Sequence, residues 1–255
     1  MLKHTDAYIA WRTSSQDMLD FAVMVCTAAP QLKYALTERD ADPNAFVATN
    51  SGFRPSEVPY STERRALTHY KNVLGANLLL AVFSYFESYI FAAIDEVIDF
   101  HGGEEMMEKN IRKQAFQRPP TQTQKSKVSG LRKKYKPSRA DKYRKVTASI
   151  DSNEIVWPSQ RLMLYGFKQM ISQKKRWKSY EIPDLLEYLL IFEMTQAERD
   201  KFHVIRADRN QIAHGKGMSY DLKKATLASN YFRELALRID GHIVDYFFIM
   251  ERYAH

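Results

Sequence analysis

The chain has 255 residues, 45% hydrophobic and 27% charged, a balance that excludes global disorder and can supply one elaborated core, or a core with a subdomain. Its single cysteine, Cys26, excludes an internal disulfide. The formal net charge of +8 is local: residues 121–146 hold ten lysines and arginines against Asp141 alone, so the rest of the chain is close to neutral.

Apolar residues recur at spacings of three and four, no alternating strand pattern persists, and an all-α fold is expected. The first helix should run from Asp6 to Ala29, with Pro30 ending it. Cys26 lies in the apolar run FAVMVCTAA, where a buried structural thiol is expected rather than a nucleophile. No apolar run follows the first basic residue, so a secretory signal is not expected, and cytoplasmic residence is. Glu38 to Tyr60 carries Pro43, Pro55 and Pro59 and reads as a connecting loop. Residues 1–60 are therefore expected to form an N-terminal helix and loop extension, and residues 61–255 a helical domain.

Ser61 is a plausible N-cap for a long helix. Leu67, Leu74, Leu78, Val82, Phe86, Ile90, Ala93 and Val97 continue one stripe to about Phe100, where His101-Gly102-Gly103 stops it. Polar residues interrupt its apolar stretch, which falls short of the run a membrane span needs, so a core helix and no membrane contact are expected. Glu104 to Gln117 reads as a shorter amphipathic helix closed by Arg118-Pro119-Pro120.

A basic insertion follows over about 118–151. Its Arg132, Lys133, Lys134, Lys136, Arg139, Lys142, Arg144 and Lys145 can contact phosphates, and Tyr135 and Tyr143 interleave with them as stacking surfaces for unpaired bases. A solvated loop that aids solubility is the alternative. Another basic helix is expected from Ser159 to about Trp177.

After Pro183, DLLEYLLIF gives a short apolar helix. Thr195 and Glu198 form the T-x-x-E pattern of a capping box, and the helix it opens should end at His214, before Gly215-Lys216-Gly217. A last helix is expected from about Asp221 to Tyr253, with Leu227, Tyr231, Leu235, Ile239, Ile243, Phe247 and Met250 facing inward. Its aromatics Tyr231, Phe232, Tyr246, Phe247 and Phe248 are expected in a core or a dimer interface.

Residues 208–215, DRNQIAHG, hold R-N-x-x-x-H at Arg209, Asn210 and His214. Asn210 and His214 share one helix face, with Arg209 on its flank, so their polar ends can converge. A guanidinium can grip two phosphate oxygens, an imidazole titrates near neutrality, and an amide can orient either. Judged by spacing alone, an exposed polar pair at a helix end explains the same residues. The other histidines lack metal-ligand spacing, and there is no C-x-x-C, H-E-x-x-H or phosphate-binding glycine loop, so neither a metal nor a cofactor is indicated.

This motif, followed by glycine and placed before a long last helix, resembles the signature of the HEPN superfamily (higher eukaryotes and prokaryotes nucleotide-binding domains). The segment AVFSYFESYIFAAI, residues 81–94, is similar to the early helix of that family, with Glu87 as its acidic residue. The resemblance covers roughly 61–116 and 183–254 and implies a HEPN-like helical bundle. It also implies metal-independent cleavage of single-stranded or loop RNA at a site shared by two protomers. His214 would move the proton, Arg209 neutralise the scissile phosphate, Asn210 position them and Glu87 orient Arg209 or His214. The resemblance does not account for the insertion, which together with Lys216 is expected from its own charge to add RNA contacts. A homodimer, an antitoxin or regulatory protein as partner, and a toxin or anti-phage role are the accompanying expectations. The alternative is a catalytically silent helical adaptor that binds nucleic acid or a partner protein; a sequence-specific DNA binder lacks a helix-turn-helix or zinc pattern.

Overall fold

The computed structural model describes residues 4–42, 44, 60–100, 102–103, 105, 177–190, 192–215 and 220–247. It is all-α: the described residues form five α-helices and no strand. These are α1 (Asp6–Ala41), α2 (Ser61–Phe100), α3 (Ile182–Tyr188), α4 (Gln196–Ala213) and α5 (Leu222–Tyr246), with a 3-10 turn at Ser179–Glu181 before α3. The helix expected at 104–117, the basic insertion and the helix expected at 159–177 lie outside the described residues, apart from Glu105 and Trp177.

Pro30 does not end the first helix, which continues for eleven residues beyond it to Ala41. Proline removes one amide and crowds the carbonyl four residues back, but it does not prevent the chain from resuming helical dihedrals. QLKYALTERDA then supplies good helix formers. Ala29 and Leu36 are buried on either side of Pro30, and Asp40 accepts two bonds from the Arg64 guanidinium, at 2.6 and 2.8 Å. Cys26 is half-buried rather than buried, because the burial on α1 follows Ala22 and Ala29 while Val23 and Met24 face out.

The long second helix starts one residue earlier than a Ser61 cap requires. Tyr60 takes the cap position with a left-handed φ of 61°, and its carbonyl accepts the Arg64 amide at 3.0 Å. At the other end the Gly102 amide donates to the Asp99 carbonyl and the Gly103 amide to that of Ile98, with φ of 78° and 97°, the two hydrogen bonds of a Schellman stop. Burial in α2 is wider than a stripe: Leu79, Phe83, Tyr89 and Ile94 join the expected residues, while Leu67 is only half-buried. The helix is, by length and composition, apolar enough to cross a membrane, contrary to the sequence reading, and half of that apolar stretch is buried inside the protein.

Contacts gather into two compact units. The first joins 8–89 with 204–237. Its core holds Leu78, Leu79, Val82, Phe83 and Phe86 of α2, Ile205 and Ile212 of α4, and Ala228, Phe232 and Leu235 of α5. Phe232 meets Phe86 at 4.5 Å between ring centres and the edge of Phe83 at 5.7 Å. Each fully buried phenylalanine contributes roughly 1.5–3 kcal/mol by leaving water.

The second unit joins 1–7, 90–203 and 238–255. Leu185, Leu186 and Leu190 pack there with Ile94, Ile239 and Ile243 in its core. Asp240 is fully buried, and its carboxylate accepts the Thr5 amide at 3.0 Å, the Thr5 hydroxyl at 2.7 Å and a 2.6 Å contact from His4. Glu96 accepts the amides of Asp6 and Ala7, the first free donors of α1, so that helix starts on a carboxylate from α2.

In α5 the inward residues Tyr231, Leu235, Ile239 and Ile243 are buried as expected, but Leu227 is 55% exposed. Ala225, Ala228 and Phe232 are buried instead, which moves the inward face around the helix by one position. The helix ends at Tyr246, and Phe247 is half-buried in a turn; Phe248, Met250 and Tyr253 lie outside the described residues.

Candidate functional site

The fourth helix carries the motif and opens as its sequence dictates. Glu198 accepts the Thr195 amide at 2.9 Å and the Thr195 hydroxyl at 3.0 Å, and the Glu198 amide donates back to Thr195 Oγ1 at 3.2 Å. Burial works to raise the Glu198 carboxyl, but the Thr195 amide and hydroxyl and the Arg238 guanidinium outweigh it and hold the group below its ordinary range. The far end is closed by glycine: the His214 amide donates to Asn210, and Gly215, with a φ of 71°, donates to Ile212.

Between these ends Ile205 and Ile212 turn α4 onto the core, and Arg209 projects from the same side. Its guanidinium carbon stands 5.3 Å from the centre of the Phe83 ring, a cation–π distance. One terminal nitrogen of Arg209 donates to Asn210 Oδ1 at 3.1 Å, and the other lies 3.7 Å from Glu87 Oε2. Both charged side chains are about three-quarters covered, at 25% exposure for Arg209 and 23% for Glu87. Arg209 Nε is buried without a hydrogen-bond partner among the described residues.

The structure therefore brings together Glu87, Arg209 and Asn210. His214 stands apart from that cluster: it is exposed at the end of the helix and has no hydrogen bond or ion pair from its ring among the described residues. Of the two partners expected for Glu87, the contact is with Arg209. Lys216 and the basic insertion lie outside the described residues. Those residues hold no group of three or more histidine, cysteine or acidic side chains suited to a metal ion.

Two features beside the motif were not singled out in the sequence. Tyr220 donates its hydroxyl to Asp208 Oδ2 at 3.0 Å and its amide to the Asn72 carbonyl at 3.3 Å, tying the chain after α4 to α2. Burial, reinforced by the Asp208 carboxylate, pushes the Tyr220 hydroxyl up to about 12. The tie needs Gly75, since a β-carbon there would stand 2.2 Å from the Tyr220 carbonyl oxygen and 2.8 Å from the Leu222 nitrogen. The second is Arg206, one turn before Asn210, half-buried with its Nε covered and without a partner among the described residues. Asp208 adjoins the motif, but its partner Tyr220 lies twelve residues further along the chain, beyond the end of α4, a meeting that periodicity does not encode.

Comparison with family models, with curated proteins and with solved structures returns no match for this chain.

Proposed function

We propose that the chain is a metal-independent endoribonuclease of the HEPN type, acting on single-stranded or loop RNA. The observation that carries this reading is the contact of Glu87 with Arg209. The resemblance picked these residues from segments far apart in sequence as parts of one site, and they are adjacent in space. In the proposed reaction a base removes the ribose 2′-hydroxyl proton and the oxygen attacks phosphorus. The 5′-oxygen then leaves with a proton, giving a 2′,3′-cyclic phosphate and a 5′-hydroxyl end. His214 moves a proton, Arg209 neutralises charge on the phosphate, Asn210 and Glu87 hold Arg209 in place, and the insertion supplies further RNA contacts. Two copies of the chain supply a histidine each for the base and acid roles. The accompanying proposals are a cytoplasmic toxin or anti-phage effector under a regulatory partner.

Incubation of the purified chain with total RNA in EDTA tests activity and metal independence together. Wild type is expected to leave cyclic-phosphate ends, and His214→Ala to lose at least a hundredfold in rate, the scale of a lost acid–base group. Equal cleavage by the two proteins removes His214 from the reaction, and no cleavage by either ends the nuclease reading.

A catalytically silent adaptor is the second reading, and one observation favours it. Both terminal nitrogens of Arg209 are engaged by Asn210 and Glu87 and its Nε is covered, so the guanidinium is committed inward as a strut between α4 and α2. In that case Arg209→Lys lowers stability, while RNA binding survives in a chain that never cleaves.

A further inference from the structure

We infer that Arg206 is a second phosphate-binding residue of the same site, gripping the RNA backbone beside the phosphate held at Arg209; the inference rests on the RNA-directed reading above. Four arginines are half-buried among the described residues: Arg39, Arg199, Arg206 and Arg209. Three have an evident counterpart. Arg39 lies 5.0 Å from the centre of the Tyr60 ring, Arg199 pairs with Asp184 and Glu187, and Arg209 pairs with Glu87. Arg206 has neither an ion pair nor a hydrogen bond from its side chain among the described residues, and its Nε is buried without an acceptor.

A guanidinium cannot escape this cost by losing its proton, as a buried lysine or histidine can. An unpaired charge taken part-way out of water is destabilising, and an apolar residue with the same stem would serve packing better. The neighbours one turn on deepen the imbalance: position 209 is a second arginine and position 210 an asparagine, so no carboxylate comes from that side. A cation left without a counter-charge among the described residues suits an external anion.

Spacing connects this anion to the candidate site. Arg206, Asn210 and His214 follow at intervals of four and run along one flank of α4, which holds no acid over that stretch. One helical turn is about 5.4 Å, the scale of one nucleotide step along an extended strand, so successive phosphates can meet successive turns. A planar, forked donor also fits two oxygens of one phosphate, which an amide or a point charge does not.

The test measures binding of a labelled single-stranded oligoribonucleotide in EDTA over a salt series, with His214→Ala as background so that the probe stays intact. Adding Arg206→Met should weaken binding about tenfold at low salt, the scale of a lost hydrogen bond to a charged group. The slope of log affinity against log salt should fall by about 0.7, the loss of one phosphate contact on a single strand. Arg206→Lys should keep the slope and lose part of the affinity. The thermal midpoint of Arg206→Met should be equal to or above that of the parent, since no internal partner is lost. A lower midpoint that Arg206→Lys restores means an internal partner and overturns the inference. Unchanged affinity and slope, with wild type still cleaving RNA, overturn it and leave the nuclease reading standing. If wild type does not cleave but Arg206→Met still loses the contact, the inference holds and the nuclease reading falls. Absence of RNA binding in every variant overturns both.

Discussion

At the scale of single residues, the chain's ionisable groups separate into those matched inside the fold and those left for something outside it. Asp240 is fully buried and has three donors, which is how a carboxylate is kept within a helical core. Arg199 is matched by two acids, and Arg238 by Glu198 with the Phe192 ring 5.4 Å away. His242 is matched in its neutral form: its Nε2 donates to the Leu190 carbonyl at 2.8 Å, and the Phe192 ring meets its edge. Burial lowers His242 below its ordinary 6.5, although the Leu190 bond and the Asp245 charge act the other way. As pH falls below 6.5 the unfolded chain takes up a proton that the folded His242 resists, so acid favours unfolding. The thermal midpoint should decline as pH falls below 6.5, and His242→Gln, which keeps a donor, should flatten the decline; an equal slope in both proteins assigns it to other groups.

At the scale of elements, helix ends follow local chemistry and helix interiors follow packing. The T-x-x-E box, the Gly102-Gly103 stop and the Gly215 cap all act through bonds within a few residues, and all three are legible in the sequence. Pro30 shows the opposite case. Its ring is a local stop signal, overridden where α1 has buried residues on both sides of the break and Asp40 holds Arg64 near its end. An exposed proline inside a continuing helix is unfavourable, by up to about 3 kcal/mol against alanine. Pro30→Ala should therefore raise stability by roughly 1–3 kcal/mol in urea denaturation, because it restores the amide that can donate four residues back. A loss of stability would mean that the bend at Pro30 is itself required for packing. The inward face of α5 has a similar origin: LKKATLASNYF offers Leu227 as the obvious anchor, but the buried positions are Ala225, Ala228 and Phe232, whose ring packs on Phe86 of α2.

At the scale of the whole molecule, the proposed reaction asks for more than one chain provides. One protomer carries a single His214 at the motif, and proton removal and proton delivery are most simply divided between two copies related by a two-fold axis. Light scattering at micromolar concentration should therefore give about twice the 29.8 kDa of one chain. A monomer that cleaves RNA at full rate would require a second proton-transfer group within one chain. The two compact units each draw on the early and the late parts of the sequence, so removal of residues 1–60 would strip core from the 8–89 unit as well as the Thr5 anchor on Asp240.

The sequence by itself determined the all-α class, the span of the long apolar helix, the caps that begin and end α4, and the residue types at the motif. Each is written in spacings of three and four or in short polar patterns, and each acts through contacts one turn long. Only the tertiary structure decided that Glu87 meets Arg209 rather than His214, that Phe83 lies under that guanidinium, and that His214 stands exposed beyond the cluster. It also decided that Gly75 makes room for the Tyr220 backbone and that Arg206 has no counter-charge among the described residues. Periodicity says which side of a helix turns inward, but not which side chain of another helix waits there. That depends on packing between helices far apart in the chain, which no local pattern records.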